Sequence, residues 1–181
     1  MTIGQVVIRD AEHSDTDAVR AVLEDAYAEY EQLMSKERWE AYKVSIANSL
    51  TDPNVKVRLV AEEGGVILGS VYLYDTSDAA YGLPELNIHG PIMRLLAVTR
   101  RARGRGIAAA LAAESIERSR AWGASHLHLH TSDMMQSAVR LYERLGFERT
   151  EEKDIVKGDS SIVKSYRLQL LKAERSIGGN R

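Results

Sequence analysis

The stretch Leu95–Leu111, LLAVTRRARGRGIAAAL, joins an apolar run to an alanine-rich run through a turn of arginines and glycines. The apolar run is typical of a β-strand, and the alanine-rich run is typical of a helix. Gly104 and Gly106 let the backbone turn sharply and approach a ligand without interference from a Cβ atom. A helix that begins here presents unpaired N–H groups and a partial positive charge. The stretch therefore predicts a strand, turn and helix that can cradle a phosphate or pyrophosphate.

The positive charge of the chain is concentrated around this turn. The sequence has 181 residues and 24 basic residues, of which 17 are arginine, yet its formal net charge is only −2. No acidic residue occurs between Glu85 and Glu114, and five arginines fall within twelve residues of that interval: Arg94, Arg100, Arg101, Arg103 and Arg105. Guanidinium groups match phosphate oxygens well, so the near-neutral total does not argue against an anionic ligand.

Composition excludes several other kinds of site. The chain has no cysteine, which excludes disulfides, zinc–thiolate and iron–sulfur sites, and thiol nucleophiles. No apolar run is long enough to span a membrane, and the first residues lack the profile of a signal peptide. We therefore expect a cytoplasmic protein with no membrane partner. The length predicts a single domain over residues 1–171, followed by a mobile tail over residues 172–181.

Outside this stretch, the sequence predicts a mixture of helices and strands. Helices are expected after a cap at Ser14 or Asp15 and near residues 36–50, 106–122 and 135–145, and strands at residues 5–9, 55–61, 66–74, 92–98, 126–130, 147–153 and 162–170. Residues 75–90 are predicted to form a loop whose length indicates a functional role. This order excludes a helical bundle and a purely parallel, doubly wound sheet.

Three interpretations compete for the glycine-rich turn. Gly104–Ala109 satisfies a loose dinucleotide-binding pattern, G-x-G-x-x-A, but it lies in mid-chain and lacks a suitably spaced acidic residue for a ribose. The arginines are compatible with nucleic-acid binding, but no aromatic residue is interleaved with them, so we expect no nucleic-acid partner. Third, Arg103–Ala108, RGRGIA, fits the pattern R/Q-x-x-G-x-G/A.

That third pattern, preceded by LAV and followed by an alanine-rich helix, resembles motif A of the GNAT superfamily of N-acetyltransferases. Downstream, Ala138–Phe147, AVRLYERLGF, resembles the family's A-x-x-L-Y-x-x-x-G-F segment, and a predicted helix and strand separate the two motifs as in the family. The resemblance implies an α/β fold with a central mixed, mostly antiparallel, splayed sheet flanked by helices. It also implies direct transfer of an acetyl group from acetyl-CoA to a primary amine.

The resemblance further implies which residues bind acetyl-CoA. Backbone N–H groups along one run would hold the pyrophosphate: Arg103, Gly104, Arg105, Gly106, Ile107 and Ala108. The preceding strand would pair with the pantetheine arm through Leu96, Ala97 and Val98. Tyr142 occupies the family position that protonates the departing thiolate, a role that suits a phenol. A place in an aromatic core is the alternative explanation for Tyr142.

The sequence departs from the family pattern at the pantetheine contact. Met135 stands where the family often has an asparagine, and a methionine has no amide with which to bind the pantetheine arm. Ser132, Asp133 and Gln136 are the polar residues nearby that are candidates for this contact.

A second departure concerns the base that removes the proton of the amine. Ile92 stands where many family members have a glutamate. Three other residues are candidate proton acceptors: Glu85 and His89 in the long loop, and His130 in a later strand.

The histidines of that later strand form a regular pattern of their own. His126, His128 and His130 alternate, so their side chains point to one face of the sheet. Metal binding would need further ligands, and no carboxylate is patterned to supply them. We therefore expect packing against a helix and no metal.

The first two predicted helices indicate the chemical character of the acceptor site, because they contain several aromatic residues: Tyr27, Tyr30, Trp39 and Tyr42. These aromatic residues favour a partly apolar acceptor site or ordinary core packing. A small-molecule amine is the expected partner, because the chain has no additional recognition domain. A protein N-terminus or lysine as acceptor, a non-catalytic acyl-CoA sensor, and a homodimer through the C-terminal strands stay open as alternatives.

Overall fold

A mixed sheet with helices on both faces organises the chain, for which a computed structural model describes residues 2–171. The tail predicted at residues 172–181 lies outside the described residues. The strands are β1 Thr2–Ile3, β2 Val6–Asp10, β3 Val57–Glu63, β4 Val66–Thr76, β5 His89–Val98, β6 His126–Thr131, β7 Glu148–Arg149, β8 Ile155–Val156 and β9 Ile162–Gln169. The helices are α1 Thr16–Tyr27, α2 Lys36–Ser49, α3 Ser77–Tyr81, α4 Ile107–Ala121 and α5 Gln136–Arg144.

The strand order is β1-β2-β3-β4-β5-β6-β9-β7, and β8 pairs with β9 outside that order. Every pair is antiparallel except β5 and β6, which run parallel. A parallel neighbour requires a crossover, and α4 supplies it. The prediction of a mixed, mostly antiparallel sheet flanked by helices is confirmed.

The sheet splays between its two central strands. β5 pairs with β6 at only two positions, Ile92 with His128 and Met93 with Leu129. On its other edge, β5 stays paired with β4 as far as Val98. The second half of β5 therefore has one edge that β6 does not cover. The predicted splay is confirmed.

Two hydrophobic clusters lie on opposite faces of the sheet. Leu73 and Val71 of β4 belong to the cluster with α4 and α5, whereas Tyr72 and Tyr74 belong to the cluster with α1 and α2. Because β4 is buried on both faces, its sequence is almost continuously apolar rather than alternating.

The prediction of one loop over residues 75–90 was wrong in part. β4 continues to Thr76, whose Oγ1 accepts a hydrogen bond from the Ala79 N–H at 3.1 Å and so caps α3. Gly82 ends α3 in the left-handed region, with φ 65°. The segment is thus ordered around a short helix that places Tyr81 beside the sheet.

The strand predicted at residues 147–153 is also shorter than expected. β7 ends at Arg149, whose guanidinium pairs with Asp154 at 2.6 Å and donates to the Ser165 carbonyl at 2.8 Å. These contacts fold the chain into a turn at Glu151–Lys153 before β8 begins.

A glycine in β4 lets the start of α4 approach the sheet closely. A Cβ atom added at Gly69 would lie 3.0 Å from the Ala97 carbonyl oxygen, 3.0 Å from Leu111 Cδ1 and 3.2 Å from Ile107 Cγ2. Carbon atoms pack at about 3.5–4.0 Å, so any side chain here pushes the helix away. Gly69 therefore sets the distance between the sheet and the turn that begins α4.

We expect Gly69→Ala to lower the free energy of unfolding by about 1–3 kcal/mol, because the methyl group overpacks this contact. Gly90→Ala is the matched control, since its Cβ would meet nothing closer than the His126 carbonyl oxygen at 3.8 Å. Its expected change is within about 0.5 kcal/mol. Denaturant unfolding measures both variants, and equal losses of stability would contradict the close approach.

Candidate active site

The turn before α4 is built on two glycines in the left-handed region, Gly104 with φ 75° and Gly106 with φ 78°. Gly106 is the residue before the helix, and its carbonyl accepts the first helical bond, from the Ala110 N–H at 3.0 Å. Ile107 is buried and fixes the start of the helix against the core. The N–H groups at the first turn have no partner within the helix. Nothing described lies within 4 Å of a Cβ built at either glycine, so the turn opens onto space that an anion can enter.

Carboxylates neutralise most of the arginines around this turn. Arg103 forms a bidentate pair with Glu29 at 2.9 and 3.0 Å and lowers the pKa of that carboxyl group. Arg105 pairs with Glu63 at 2.6 Å and Arg100 with Asp25 at 3.1 Å. Within residues 2–171, Arg101 forms no ion pair. The turn can therefore bind an anion through its backbone N–H groups. An arginine of the turn contributes as well if it leaves its carboxylate for the anion.

The uncovered edge of β5 exposes backbone groups at alternate residues. The Thr99 N–H donates to the Leu68 carbonyl in β4 at 2.9 Å. Successive N–H groups along a strand point to opposite edges, so the N–H of Val98 points away from β4, toward the gap, and that of Ala97 points to β4. The Leu96 carbonyl accepts a hydrogen bond from the Tyr27 hydroxyl at 3.2 Å rather than from β4.

Two buried hydroxyl groups lie at the end of β6, on the other side of the gap. Thr131 Oγ1 and Ser132 Oγ are buried and have no hydrogen-bond partner among the described residues. Asp133 is exposed and pairs with Lys164 at 2.8 Å, and Gln136 is exposed. Of the three candidates for the missing asparagine contact, Ser132 alone is a buried polar group in need of a partner.

Tyr142 lies in α5 and is buried, with its ring centroid 5.8 Å from that of Phe147. Burial raises the pKa of its hydroxyl, and the neighbouring Tyr81 and Tyr30 raise this pKa further. The phenol is therefore fully protonated at neutral pH and can act as a proton donor. Its burial shows that the core role and the chemical role proposed for this residue are compatible.

Aromatic side chains from α1, from α2 and from the 3-10 segment Ala28–Leu33 between them line the same region. Tyr30 lies in that segment, whereas the sequence predicted it in one of the first two helices. Ring centroids lie 5.6 Å apart for Tyr27 and Tyr42, and 6.0 Å apart for Tyr27 and Tyr30. Trp39 stacks on Tyr42 with an interplanar angle of 12°. Burial raises the pKa of Tyr42 to about 12, so this wall carries no negative charge at neutral pH.

The three candidate proton acceptors lie in different environments. Glu85 is exposed in a single turn, and His89 is exposed with Nε2 2.6 Å from the Asn87 side-chain oxygen. His130 is partly buried, with Nε2 2.8 Å from the Lys153 carbonyl and Nδ1 3.0 Å from the Tyr81 hydroxyl.

The carbonyl of Lys153 decides which nitrogen of His130 carries the proton. A carbonyl only accepts, so Nε2 must donate to it and Nδ1 is left to accept from Tyr81. Burial lowers the pKa of His130, which keeps the ring neutral at neutral pH. Tyr81 in turn lies close enough to Tyr142 to shift its pKa. Of the three candidates, His130 is therefore the one that the structure links to Tyr142.

Comparison with known sequences decides the family. The sequence model described as the acetyltransferase (GNAT) family matches residues 16–147, which is most of the chain. The chain belongs to the GNAT family of N-acetyltransferases.

Individual relatives agree with membership of the GNAT family. The probable N-acetyltransferase family 8 member 5 of Mus musculus is 37% identical over 91 residues, which cover 50% of this chain and 38% of that protein. The chain thus spans less than half the length of this relative. The aminoalkylphosphonate N-acetyltransferase of Salmonella typhimurium is 31% identical over 143 residues, covering 79% of this chain and 85% of that protein.

A solved structure shows the same GNAT fold. The PaiA N-acetyltransferase of Thermoplasma acidophilum, solved in complex with coenzyme A, superimposes with a TM-score of 0.63 over 91% of this chain and 98% of that one. The sequence identity is 15%, so the likeness concerns the fold.

The other two histidines of β6 in this GNAT chain lie on the face of the strand that His130 shares. The His126 and His128 rings are 6.0 Å apart, and burial lowers the pKa of His128 to about 4. The residues that the structure describes include no group of three or more His, Cys, Asp or Glu side chains placed to hold a metal ion. Over the same residues, no helix is long and apolar enough to cross a membrane.

The sequence missed two residues of this site, Tyr81 and Arg94. Tyr81 fell in the segment predicted as a loop, although the Thr76 and Gly82 caps were a readable signal for a helix there. Arg94 was counted with the arginines of the turn. The structure instead places its guanidinium over the rings of Tyr74 and Tyr81, at 5.6 and 4.8 Å from their centroids.

Proposed function

We propose that the chain transfers the acetyl group of acetyl-CoA directly to a primary amine of a small molecule. One observation carries the proposal: the uncovered edge of β5 is followed, after the single turn Arg100–Ala102, by the glycine turn at the start of α4. A strand edge satisfies the amides of a peptide-like arm, and a helix N-terminus binds a pyrophosphate. Family membership and a structural neighbour solved with coenzyme A support the same ligand.

The described residues fit this ligand at three points. The N–H groups from Gly104 to Ala108 hold the pyrophosphate, in the open space above the two glycines. Arg103 falls out of the predicted run of N–H donors, because its N–H already donates to the Arg100 carbonyl at 3.3 Å. Leu96 and Val98 pair with the pantetheine arm through their backbone. Ala97 lies between them and keeps the two residues in register, while its own N–H points to β4. The buried Ser132 hydroxyl takes over the contact that Met135 cannot make. The bound cofactor supplies an activated acetyl thioester.

The edge of β5 near Val98 and the side chain of Tyr142 then carry out the chemistry on the protein side. A backbone N–H of that edge, one that the pantetheine arm does not use, donates to the oxygen on which negative charge develops. The Tyr142 hydroxyl donates a proton to the departing sulfur. Burial raises the pKa of the Tyr142 hydroxyl, so the phenol keeps its proton until a thiolate forms beside it. Because the chain has no cysteine, no acyl-cysteine intermediate forms on the protein.

We assign the removal of the amine proton to the Tyr81–His130 pair. The neutral Nδ1 of His130 already accepts the Tyr81 hydroxyl. When the amine gives its proton to the Tyr81 oxygen, directly or through a water, Tyr81 passes its own proton to His130. His130 is held in the accepting tautomer by the Lys153 carbonyl.

A small-molecule acceptor is supported by the aromatic wall of α1 and α2 and by the relative that acetylates aminoalkylphosphonates. An acceptor at a protein N-terminus or lysine is the alternative within the enzyme class. A non-catalytic acyl-CoA sensor is the alternative outside the enzyme class.

Release of coenzyme A thiol over a panel of amines distinguishes these functions. Turnover of small amines supports the proposal, whereas binding of coenzyme A without turnover of any amine supports the sensor. The cytoplasmic location and a homodimer stay predictions.

We expect Tyr142→Phe to lower kcat by about 100-fold while the Kd for acetyl-CoA changes less than about twofold, because only the proton donor is removed. Tyr166→Phe is the matched control, since Tyr166 is equally buried but lies in β9, and its kcat should be unchanged. Steady-state thiol release and calorimetric titration measure the two quantities. An unchanged kcat in Tyr142→Phe would refute the acid role.

We expect kcat/KM to fall on the acid side with an apparent pKa below 6.5, because burial lowers the pKa of His130 and protonation removes its accepting nitrogen. His130→Gln should lose this acid limb and most of the activity. His126→Gln, a change at the partly buried start of the same strand, should keep both. An acid limb that survives in His130→Gln would contradict the assignment.

A further inference from the structure

Arg94 differs from the other arginines of its segment in where its charge lies. In β5 it pairs with Tyr72, so its side chain is on the face that carries Tyr74 and that α1 and α2 cover. The residue is partly buried, and its Nη1 donates to the Ala80 carbonyl at the end of α3. The rings of Tyr74 and Tyr81 flank the guanidinium.

Arg94 has no counter-ion among residues 2–171. Arg100, Arg103 and Arg105 each pair with a carboxylate, but no described carboxylate lies within ion-pair distance of Arg94. Aromatic faces and one carbonyl compensate a guanidinium only in part, and this group has five N–H donors. A partly desolvated cation that lacks a protein anion is well placed to bind an anion from a ligand.

A cavity of about 530 Å³ opens beside Arg94. Its lining includes Tyr74 of β4, Ser45 and Asn48 of α2, and Asp52. The carboxylate of Asp52 is already engaged by the Tyr74 hydroxyl at 3.2 Å and the Asn54 N–H at 2.9 Å. The cavity thus offers one guanidinium without a counter-ion, several neutral polar groups and one carboxylate whose two oxygens already have hydrogen-bond donors, in a volume that suits a small molecule.

The same guanidinium lies beside the proposed chemistry. It stacks on Tyr81, which hydrogen-bonds His130, and its charge acts on the buried tyrosines Tyr42 and Tyr74 as well. Arg94 therefore connects the cavity, which it lines, with Tyr81, on whose ring it stacks.

We infer that Arg94 binds an acidic group of the acceptor, so that the preferred substrates are small amines that also carry a carboxylate or a phosphonate. The inference rests on the proposed acetyl transfer and names its acceptor class. Two N–H groups of one guanidinium edge bind two oxygens of the acid, while the amine at the other end of the molecule reaches the acetyl group. Carboxylate and phosphonate share this chemistry, and the experiment distinguishes them.

The test compares acidic amines with their neutral counterparts at equal chain length. The panel consists of ω-amino acids with one to four methylene groups, the corresponding aminoalkylphosphonates, and the ω-amino amides. For the wild-type chain we expect kcat/KM at least tenfold higher for an acid than for its matched amide. The better of the two acid series identifies the natural acid group. Equal or better use of the amides would overturn the inference and leave the proposed acetyl transfer intact.

Arg94→Gln should remove this preference, with a loss of about 10- to 100-fold for the acids that is not shared by the amides. Arg94→Lys keeps the charge without the planar fork and should retain part of the preference. Arg20→Gln, at an exposed position of α1, is the control and should keep the whole preference. A purely structural role for Arg94 predicts equal losses for acids and amides, and that result would overturn the inference.

A binding measurement tests the acid site without requiring turnover. Because two Arg94 variants are compared, the result does not depend on the folding of one of them. Propionate and ethylphosphonate are titrated calorimetrically into the chain saturated with coenzyme A, for the wild type and both Arg94 variants. Binding that Arg94→Gln abolishes and Arg94→Lys weakens supports the acid site even where no amine is acetylated, in which case the proposed function fails alone. Binding that is absent from the wild type, or unchanged in both variants, would overturn the acid site.

Discussion

Leu95 adopts a left-handed backbone conformation, φ 54°, in the middle of the central strand. This conformation costs a non-glycine residue about 1–3 kcal/mol, and such residues persist where the surroundings hold them in place. Here the register between β4 and β5 shifts across Leu95, between the Tyr72–Arg94 pair and the Ser70–Ala97 pair. Parallel pairing with β6 has ended two residues earlier, at Met93. The irregularity thus separates β5 from β6 and leaves the backbone of Leu96 and Val98 facing a gap.

The site follows from that separation. A strand edge without a protein neighbour is a liability unless something else covers it, and the turn at Gly104 and Gly106 lies directly beyond its end. The contact of α4 with Gly69 holds the turn against the sheet. Arg94 lies just before the irregularity, and its regular pairing with Tyr72 places its side chain on the side of the tyrosines, α1 and α2. The cofactor edge and the proposed acid site therefore adjoin the same local distortion.

The sequence predicted those features of the fold and the site that local patterns specify. Local periodicity predicted the order of helices and strands. The turn at residues 103–108 and the Ala138–Phe147 motif resemble segments of the GNAT family, and it was this resemblance that implied the fold. The bulge at Leu95 was not predicted, because a leucine carries no signal for a left-handed conformation. The carboxylate partners of the arginines could not be predicted from the sequence either. Arg103 meets Glu29, 74 residues away, so whether an arginine is neutralised or left without a carboxylate, as Arg94 is, depends on tertiary structure.

We propose that the glycine turn beyond this edge holds the pyrophosphate of coenzyme A. Calorimetric titration of coenzyme A into Gly106→Ala and Gly123→Ala tests it most directly. Both glycines have a left-handed φ, 78° and 75°, and open space at Cβ, so both changes carry a similar backbone strain of about 1 kcal/mol. Only the Cβ at residue 106 enters the space assigned to the phosphates. The account predicts a Kd at least about tenfold higher for Gly106→Ala and an unchanged Kd for Gly123→Ala. Equal affinities for the two variants would contradict it.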